Sequence, residues 1–393
     1  MNTSKLKAKY ASLALHYAGT MLLLLFFMSE AVDKIIRKTS DDPVILAKSI
    51  KAIVFVVMFG LLIRSNVKKI LLFVALPLVI FCLGQLFLGS TPNEDVILTL
   101  FKYLFPILLF LFFNEILKSG TNQKALFAVF EWIIFLNSII IIGAFLLDIK
   151  WLSTYRFSRF GYNGLIYASA ASTYVYIIAL YYFLIKILHK KASGRDYTMA
   201  IVVLLATFLI GTKTLYLGIF FILSLLFWKV CNPRYRKWLI AMVILLLIFG
   251  GYYFFYGATF FGKITKKEGF LTSLLSYRNI LFETRTFPFI ADNWNFGNYL
   301  FGGISDIKTR SQMSIIDVFY FWGFIGGVVY LFLYLKSYFR HKLSVTDWAF
   351  FIFTACITIL AGNFFLYATI PLYLLILRER IRFEQSQKTL PKE

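Results

Sequence analysis

The chain has 393 residues, of which 60% are hydrophobic and 19% aromatic, and its formal net charge at pH 7 is +22. Soluble domains contain about 45–50% apolar residues, so the composition excludes an ordinary soluble protein. A basic charge of this size suggests nucleic acid as the partner of a soluble protein. Here many basic residues lie in short loops between apolar segments, where membrane topology and anionic lipid account for them, and we expect no nucleic-acid partner.

Apolar segments of the length that a membrane-crossing helix needs, about 20 residues, recur along the chain. They predict an all-α polytopic membrane protein, embedded in the lipid bilayer, with about twelve transmembrane helices. The pairs 197–228 and 347–378 also allow one span each, because the turns that divide them are short. The predicted segments are 11–29, 45–63, 69–88, 97–114, 125–147, 165–188, 197–211, 214–228, 238–256, 315–335, 347–361 and 364–378.

The charges of the predicted loops alternate along the chain. The even-numbered loops and both termini are basic, whereas the first odd-numbered loops are acidic or mixed. The positive-inside rule therefore places both termini in the cytoplasm. The three cysteines are far apart, and no Walker loop, dinucleotide fingerprint or zinc spacing occurs, so we expect neither a metal nor a cofactor.

One predicted loop, residues 257–313, is far longer than the others and lies on the outer face. Loops longer than about 12–15 residues are usually functional or disordered. Its Phe, Tyr, Trp and Gly content favours an ordered lid or short helices on the membrane surface, with an inert insertion as the alternative. Because no internal repeat divides the chain, we interpret residues 1–393 as one integral membrane domain that contains this loop.

Basic residues on the outer face depart from the positive-inside rule, and they suggest that an anion binds there. Arg156 and Arg159 alternate with aromatic residues such as Tyr162. An arginine fork matches phosphate oxygens and an aromatic ring can stack on a sugar, although anchoring at the membrane interface is the alternative. Lys213 lies in a tight outer turn between two apolar spans, where a charge is costly. We expect all four residues to bind substrate.

The long loop combines cations with carboxylates, as glycosyl transfer from a lipid diphosphate requires. Arginines can neutralise a leaving diphosphate, and a carboxylate can accept the proton of the attacking hydroxyl. We expect Arg278, Glu283 and Asp317 to be catalytic, with Glu283 or Asp317 as the base. Scattered surface charges would give a similar pattern. Further candidates for substrate binding are Arg285, Arg310, Trp294 and Tyr299.

Three stretches between residues 205 and 330 form a recognisable combination. They are Leu209-Ile210-Gly211-Thr212-Lys213-Thr214, then Ser276-Tyr277-Arg278, and then Leu300-Phe301-Gly302-Gly303 followed by Asp317 and Phe321-Trp322-Gly323-Phe324-Ile325-Gly326. This combination resembles the O-antigen polymerase and ligase superfamily, in particular the Wzy-type polysaccharide polymerases. The motifs are short and degenerate.

The resemblance implies a GT-C-like glycosyltransferase in the bacterial inner membrane. Such an enzyme would join oligosaccharide repeat units carried on undecaprenyl diphosphate into O-antigen or capsule chains, without a cofactor, and a chain-length regulator would be a possible partner. Ligases of the superfamily rely on a histidine in the large outer loop. Residues 257–313 contain no histidine, which favours a polymerase over a ligase.

The chain departs from one pattern of the family. Some polymerases carry a glycine eleven positions after an arginine, and no glycine follows at that distance after Arg156, Arg159, Arg278, Arg285 or Arg310. A ligase and a flippase or transporter of lipid-linked oligosaccharide are the alternatives to a polymerase, although transporters commonly show internal repeats.

Overall fold

The computed structural model describes residues 3–39, 45–116, 122–155, 159–188, 192–257, 259–360 and 362–389. Within these ranges the secondary structure is helical, apart from one isolated antiparallel bridge between Ser153 and Tyr162. Eight helices in this part of the chain are long and apolar enough to cross a membrane. The prediction of an all-helical membrane protein is confirmed.

Long helices occupy the chain before and after residues 257–313. A π-helical turn, Leu71–Ala75, joins α3 to α4 in one continuous helix. The helices before the long loop are α1 Thr3–Thr39, α2 Leu46–Ser65, α3 Val67–Ile70, α4 Leu76–Leu88, α5 Glu94–Glu115, α6 Gln123–Leu146, α7 Ser169–Ile187, α8 Gly194–Leu209, α9 Lys213–Val230 and α10 Arg236–Tyr256.

The segment that the sequence marks as a long loop folds into short helices. A second π-helical turn, Phe282–Thr286, joins two of them. They are α11 Phe260–Glu268, α12 Phe270–Leu275, α13 Arg278–Leu281, α14 Phe287–Asn293 and α15 Phe296–Phe301, followed by the long helices α16 Ser314–Tyr338, α17 Val345–Leu360 and α18 Thr369–Thr389. A helix overlaps each of the twelve predicted segments, and the helix is interrupted within both pairs whose division was open. Because eight helices of the described residues are long and apolar enough to cross a membrane, the number twelve stays a prediction.

The helix ends fall into two groups, because short connections make consecutive long helices antiparallel. Lys34 near the end of α1 donates a hydrogen bond to Asn163, which follows α6 (2.5 Å). Asn114 at the end of α5 donates to the carbonyl of Ser337 at the end of α16 (2.7 Å). We call the end of the bundle that carries residues 257–313 the loop end, and the other the opposite end.

The helices α5 and α7 form the centre of the bundle. Both are apolar around the whole circumference, which is the pattern of a helix surrounded by other helices. In α5 every residue from Tyr103 to Asn114 is buried, and in α7 every residue from Ala171 to Leu184 is buried. Neighbouring helices therefore enclose both helices over these stretches.

A contact between backbones attaches α15 to α4 and α16. A Cβ on Gly84 would lie 2.4 Å from the carbonyl oxygen of Phe301, and one on Gly323 would lie 2.3 Å from the amide nitrogen of Gly302. Gly323 has φ +69° and interrupts α16, a conformation that side chains disfavour. The buried Asn298 amide donates to the carbonyls of Gly84 (3.0 Å) and Gly302 (2.7 Å). The glycines of the third motif therefore hold the loop to the bundle.

Candidate functional site

Two cavities lie at the loop end of the bundle. The larger has a volume of about 340 Å³ and is lined by Asp95, Thr99, Lys102, Arg285, Ile307, Lys308, Arg310, Gln312, Asn363, Leu366 and Tyr367. The smaller has a volume of about 130 Å³ and is lined by Tyr155, Arg159, Ser169, Ala170, Thr173, Tyr174, Thr212, Lys213, Thr214, Ser276, Arg278 and Gly362. Five of the residues that the sequence predicts as site residues line one cavity or the other.

The two cavities share a thin wall. Gly362 lines the smaller cavity, and its chain neighbour Asn363 lines the larger one together with Gln312. A Cβ on Gly362 would lie 1.9 Å from the Gln312 carbonyl oxygen and 3.2 Å from Nε of Arg278. The wall is therefore closely packed at the point where the cavities adjoin, and only glycine fits there.

Positive charge dominates the smaller cavity. Arg159, Lys213 and Arg278 line it, and none of the described residues in its lining carries a carboxylate. The Arg159 guanidinium lies 4.0 Å from the ring centroid of Tyr155. Burial lowers the pKa of Arg159 and of Arg278, while Tyr155 favours the charged form of both. An anion bound between the two guanidinium groups would offset the cost of burying them.

The side chain of Lys213 forms hydrogen bonds with the segment at the end of α12. Its ammonium group donates hydrogen bonds to the Ser273 carbonyl (2.9 Å), the Leu274 carbonyl and the Ser276 hydroxyl (2.8 Å). These three acceptors use all three N–H groups of an ammonium. Lys213 therefore holds the C-terminal end of α12, and with it the turn that leads to Arg278.

The turn after α12 aims Arg278 into the cavity. Ser276 and Tyr277 both have left-handed backbone conformations, with φ of 53° and 66°. The Tyr277 amide donates to the Thr272 carbonyl (3.1 Å), and the Asn279 side chain donates to the Thr272 hydroxyl (3.0 Å). The left-handed conformation raises the conformational energy of any residue other than glycine, and here two consecutive residues adopt it. The surrounding hydrogen bonds therefore maintain a turn that the backbone alone disfavours.

Strained backbone is concentrated around the cavities. Five non-glycine residues of the described chain have positive φ. Ser276, Gln312 and Asn363 line a cavity, Tyr277 precedes Arg278, and only Asp148 lies elsewhere. Such conformations persist where a functional constraint selects them. Their distribution supports the two cavities as the functional site.

The segment before α7 reaches the smaller cavity through backbone contacts with the turn between α8 and α9. The Thr154 hydroxyl donates to the Ile210 carbonyl (2.9 Å), and the Tyr162 amide donates to the Leu209 carbonyl (2.8 Å). Gly211 has φ +73°, and a Cβ there would lie 2.4 Å from the Phe160 carbonyl oxygen. The small-residue turn of the first motif therefore allows Arg159 to approach Lys213.

A buried carboxylate lies behind the larger cavity. Oδ2 of Asp317 lies 3.9 Å from a guanidinium nitrogen of Arg310, and the two side chains are 4% and 21% exposed. Oδ1 of Asp317 accepts hydrogen bonds from the Ser311 hydroxyl (2.9 Å) and the Gln312 amide (3.1 Å). Asp317 is outside the lining itself. Its charge is therefore directed at Arg310, which faces the cavity.

Four cations from three parts of the chain line the larger cavity. Lys102 belongs to α5, Arg285 to the π-helical turn of the loop, and Lys308 and Arg310 to the segment before α16. Among the described residues, Asp95 in the first turn of α5 supplies the one carboxylate of this lining. The cavity therefore carries an excess of positive charge, which suits a ligand with more than one negative charge.

The cations at the opposite end of the bundle are arranged differently. Lys186 lies between Glu131 (2.7 Å) and Asp196 (2.6 Å). Arg378, 1% exposed, pairs with Glu379 (3.0 Å). These groups neutralise one another within the protein. The excess of positive charge in the cavities is therefore specific to the loop end, because these cations of the opposite end are paired with carboxylates.

The remaining predicted residues lie away from both cavities or outside the described residues. Arg156 lies outside the described residues. Glu283 is exposed and lines neither cavity. The Tyr162 hydroxyl donates to Asp148 (2.7 Å), and Tyr299 packs edge-on against Trp294.

Trp294 has a structural role. Its indole donates to the Gly303 carbonyl (3.0 Å) and its ring stacks on Tyr320, with centroids 5.8 Å apart.

The lining of the cavities also contains residues that the sequence does not single out, among them Tyr155, Tyr174, Lys308, Gln312 and Tyr367. The sequence around these residues contains no recognisable motif, because they come from distant segments that meet only in the folded protein.

Comparisons with known proteins find no match for this chain among family models, curated proteins or solved structures.

Proposed function

We propose that this protein is a polysaccharide polymerase of the bacterial inner membrane. It would join oligosaccharide repeat units linked to undecaprenyl diphosphate into O-antigen or capsule chains at the outer face. In this proposal the chain crosses the membrane twelve times in a GT-C-like arrangement, with both termini in the cytoplasm and the loop end outside. The resemblance in three short motifs provides the substrate class.

The observation that carries the proposal is the pair of adjoining cationic cavities at one end of the bundle. Polymerisation brings together two lipid-linked diphosphates, that of the growing chain and that of the new unit. A single-substrate enzyme needs only one such anion site. The smaller cavity, with Arg159 and Arg278, and the larger cavity, with Arg310 and Lys102, together provide two.

The geometry suits transfer of the growing chain onto a terminal sugar hydroxyl of the new unit. The hydroxyl oxygen forms a bond to the anomeric carbon of the growing chain while its proton passes to a carboxylate, and the bond from that carbon to the diphosphate oxygen breaks. The electron pair remains on the diphosphate. Guanidinium groups stabilise this developing charge, because they are in place before the reaction and are shielded from water.

The competing functions predict different products. A ligase would transfer a finished chain to a lipid core, and a flippase would move lipid-linked units across the membrane without altering them. A flippase carries one lipid diphosphate at a time, and only one of the two substrates of a ligase is linked to undecaprenyl diphosphate.

The test is a gel of surface polysaccharide from a bacterial strain that lacks the gene, complemented with variants. We expect wild type to restore a ladder of long chains, and Arg278→Ala to leave single repeat units although the protein is inserted. Arg278→Lys should restore little, since lysine lacks the planar fork. Arg234→Ala, at an exposed position of the opposite end, is the matched control and should restore the ladder.

Other outcomes would overturn the proposal. Long chains that remain on the carrier lipid in the deletion strain would indicate a ligase. Repeat units trapped on the cytoplasmic side would indicate a flippase.

A further inference from the structure

We propose that Asp95 is the general base of the transfer reaction, a role that rests on the proposed function. Among the described residues, it is the one carboxylate that lines either cavity. A base must reach the attacking hydroxyl to within hydrogen-bond distance. Among the acidic residues of the described chain, Asp95 is the one that faces the space in which a sugar would lie.

The carboxylate of Asp95 is available to a ligand. The side chain is exposed, and its carboxylate makes no hydrogen bond or ion pair with other described residues. Its backbone, in contrast, is fixed: the Asp95 carbonyl accepts a hydrogen bond from the Thr99 hydroxyl (2.8 Å). The lone pairs that proton transfer needs are therefore unoccupied, on a residue that the helix holds in place.

Asp95 lies close to positive charge at the start of α5. It lies in the first turn of the helix, which Asn93 caps by accepting a hydrogen bond from the Val96 amide (3.0 Å). The positive end of a helix stabilises an anion there. Lys102, two turns further along the same helix, lines the same cavity and adds a positive charge. Both features place the carboxylate beside positive charge within the cavity.

The other two candidate carboxylates are less suited. Asp317 is 4% exposed, and its oxygens face Ser311, Gln312 and Arg310. Glu283 lies outside both cavities. Neither can reach a hydroxyl in the larger cavity without rearrangement of the loop.

The complete step can be written for the larger cavity. The acceptor hydroxyl oxygen attacks the anomeric carbon while its proton moves to a carboxylate oxygen of Asp95. The carbon–oxygen bond to the diphosphate breaks, and its electron pair stays on the diphosphate near Arg310. The proton on Asp95 then passes to water when the product leaves. The volume of about 340 Å³ accommodates a sugar together with a diphosphate.

The experiment uses purified full-length protein in detergent and lipid-linked repeat units extracted from the deletion strain. Asp95→Asn preserves shape and removes the base, and we expect kcat to fall by about 100-fold or more with KM changed by less than about threefold. Asp95→Glu should retain part of the rate, because it keeps a carboxylate. Glu94→Gln is the matched control: it removes a negative charge from the same turn, outside the lining, and should keep wild-type kinetics.

Each alternative result has a distinct meaning. A wild-type kcat for Asp95→Asn, or a raised KM with unchanged kcat, would overturn the role of Asp95 as base and leave the polymerase proposal standing. If the wild-type protein fails to lengthen the extracted units and fails to restore the ladder in cells, the proposed function is wrong. Size-exclusion profiles that match the wild type exclude misfolding as the cause of a loss.

Discussion

The carboxylate of Asp317 lies 3.9 Å from the guanidinium of Arg310, with only Arg310 facing the larger cavity. This separation is too long for a hydrogen bond, so the interaction is one of charge. Two hydrogen bonds, from Ser311 and Gln312, keep the carboxylate in place. We expect Asp317 to position Arg310 through its charge, and its catalytic role stays a prediction.

We expect Asp317→Asn to lower the polymerisation rate about tenfold, or about 1.4 kcal/mol, because the amide keeps the hydrogen bonds and loses the charge. Arg310→Ala should cost more, and the double variant should cost no more than Arg310→Ala alone, since the residues act through one interaction. Rates with extracted lipid-linked units provide the measurement. Asp292→Asn, exposed in the same loop, is the control. Additive losses would show that Asp317 acts independently of Arg310.

Lys213→Met should destabilise the long loop. The change leaves the Ser273 and Leu274 carbonyls and the Ser276 hydroxyl without their donor, at a cost of about 1–3 kcal/mol for each group that remains buried. We expect a lower unfolding temperature and faster chymotrypsin cleavage within 257–313. Lys267→Met, where the side chain is 81% exposed, is the control. An unchanged unfolding temperature with a raised KM would instead mean that Lys213 binds substrate.

Gly323→Ala should reduce the amount of folded protein. The positive φ at this position costs about 1–3 kcal/mol for a residue with a side chain. The new Cβ would also lie 2.3 Å from the Gly302 amide nitrogen. Gly250→Ala is the matched control, because a Cβ at Gly250 meets nothing within 4 Å. Fluorescence-detected size exclusion with a heating step measures the difference. Equal unfolding temperatures for the two variants would contradict the proposed packing.

His341 predicts a dependence of stability on pH. Burial lowers the pKa of this imidazole to about 4, with a further contribution from Arg378 and Arg382. The unfolded chain takes up the proton near pH 6.5, while the folded protein does so only near pH 4. Stability therefore falls as the pH decreases from about 6.5 to about 4.

His341→Phe should reduce this loss, because phenylalanine has no proton to gain and suits contacts with the rings of Tyr338 and Phe339. Unfolding temperatures of both proteins between pH 4 and pH 7 provide the measurement. Parallel curves would show that other groups cause the dependence.

The positions of the long helices follow from local sequence, since a segment in lipid must satisfy its own backbone hydrogen bonds. Apolar length alone therefore marks them. The break at Gly211-Thr212-Lys213 is equally local, because a glycine with positive φ ends α8 and allows α9 to begin. The arginines of the cavities could also be predicted, because the positive-inside rule disfavours cations in loops predicted to lie outside, and a bound anion would explain their presence there. Arg159 and Arg278 line the smaller cavity, and Arg285 and Arg310 the larger.

The roles of individual side chains were decided only by the tertiary structure. Lys213 faces α12 and donates all its hydrogen bonds there, Trp294 packs on Tyr320, and Glu283 lies outside the cavities. Asp95 becomes a cavity residue because the segment before α16 folds over the end of α5. The physical reason is that the apolar residues next to a charge in the sequence already make its burial costly. The groups that offset this cost come from distant segments, and only folding brings them together. The sequence by itself determined which residues need a partner, and the packing of α5, the loop helices and the turn after α17 decided which partner each one has.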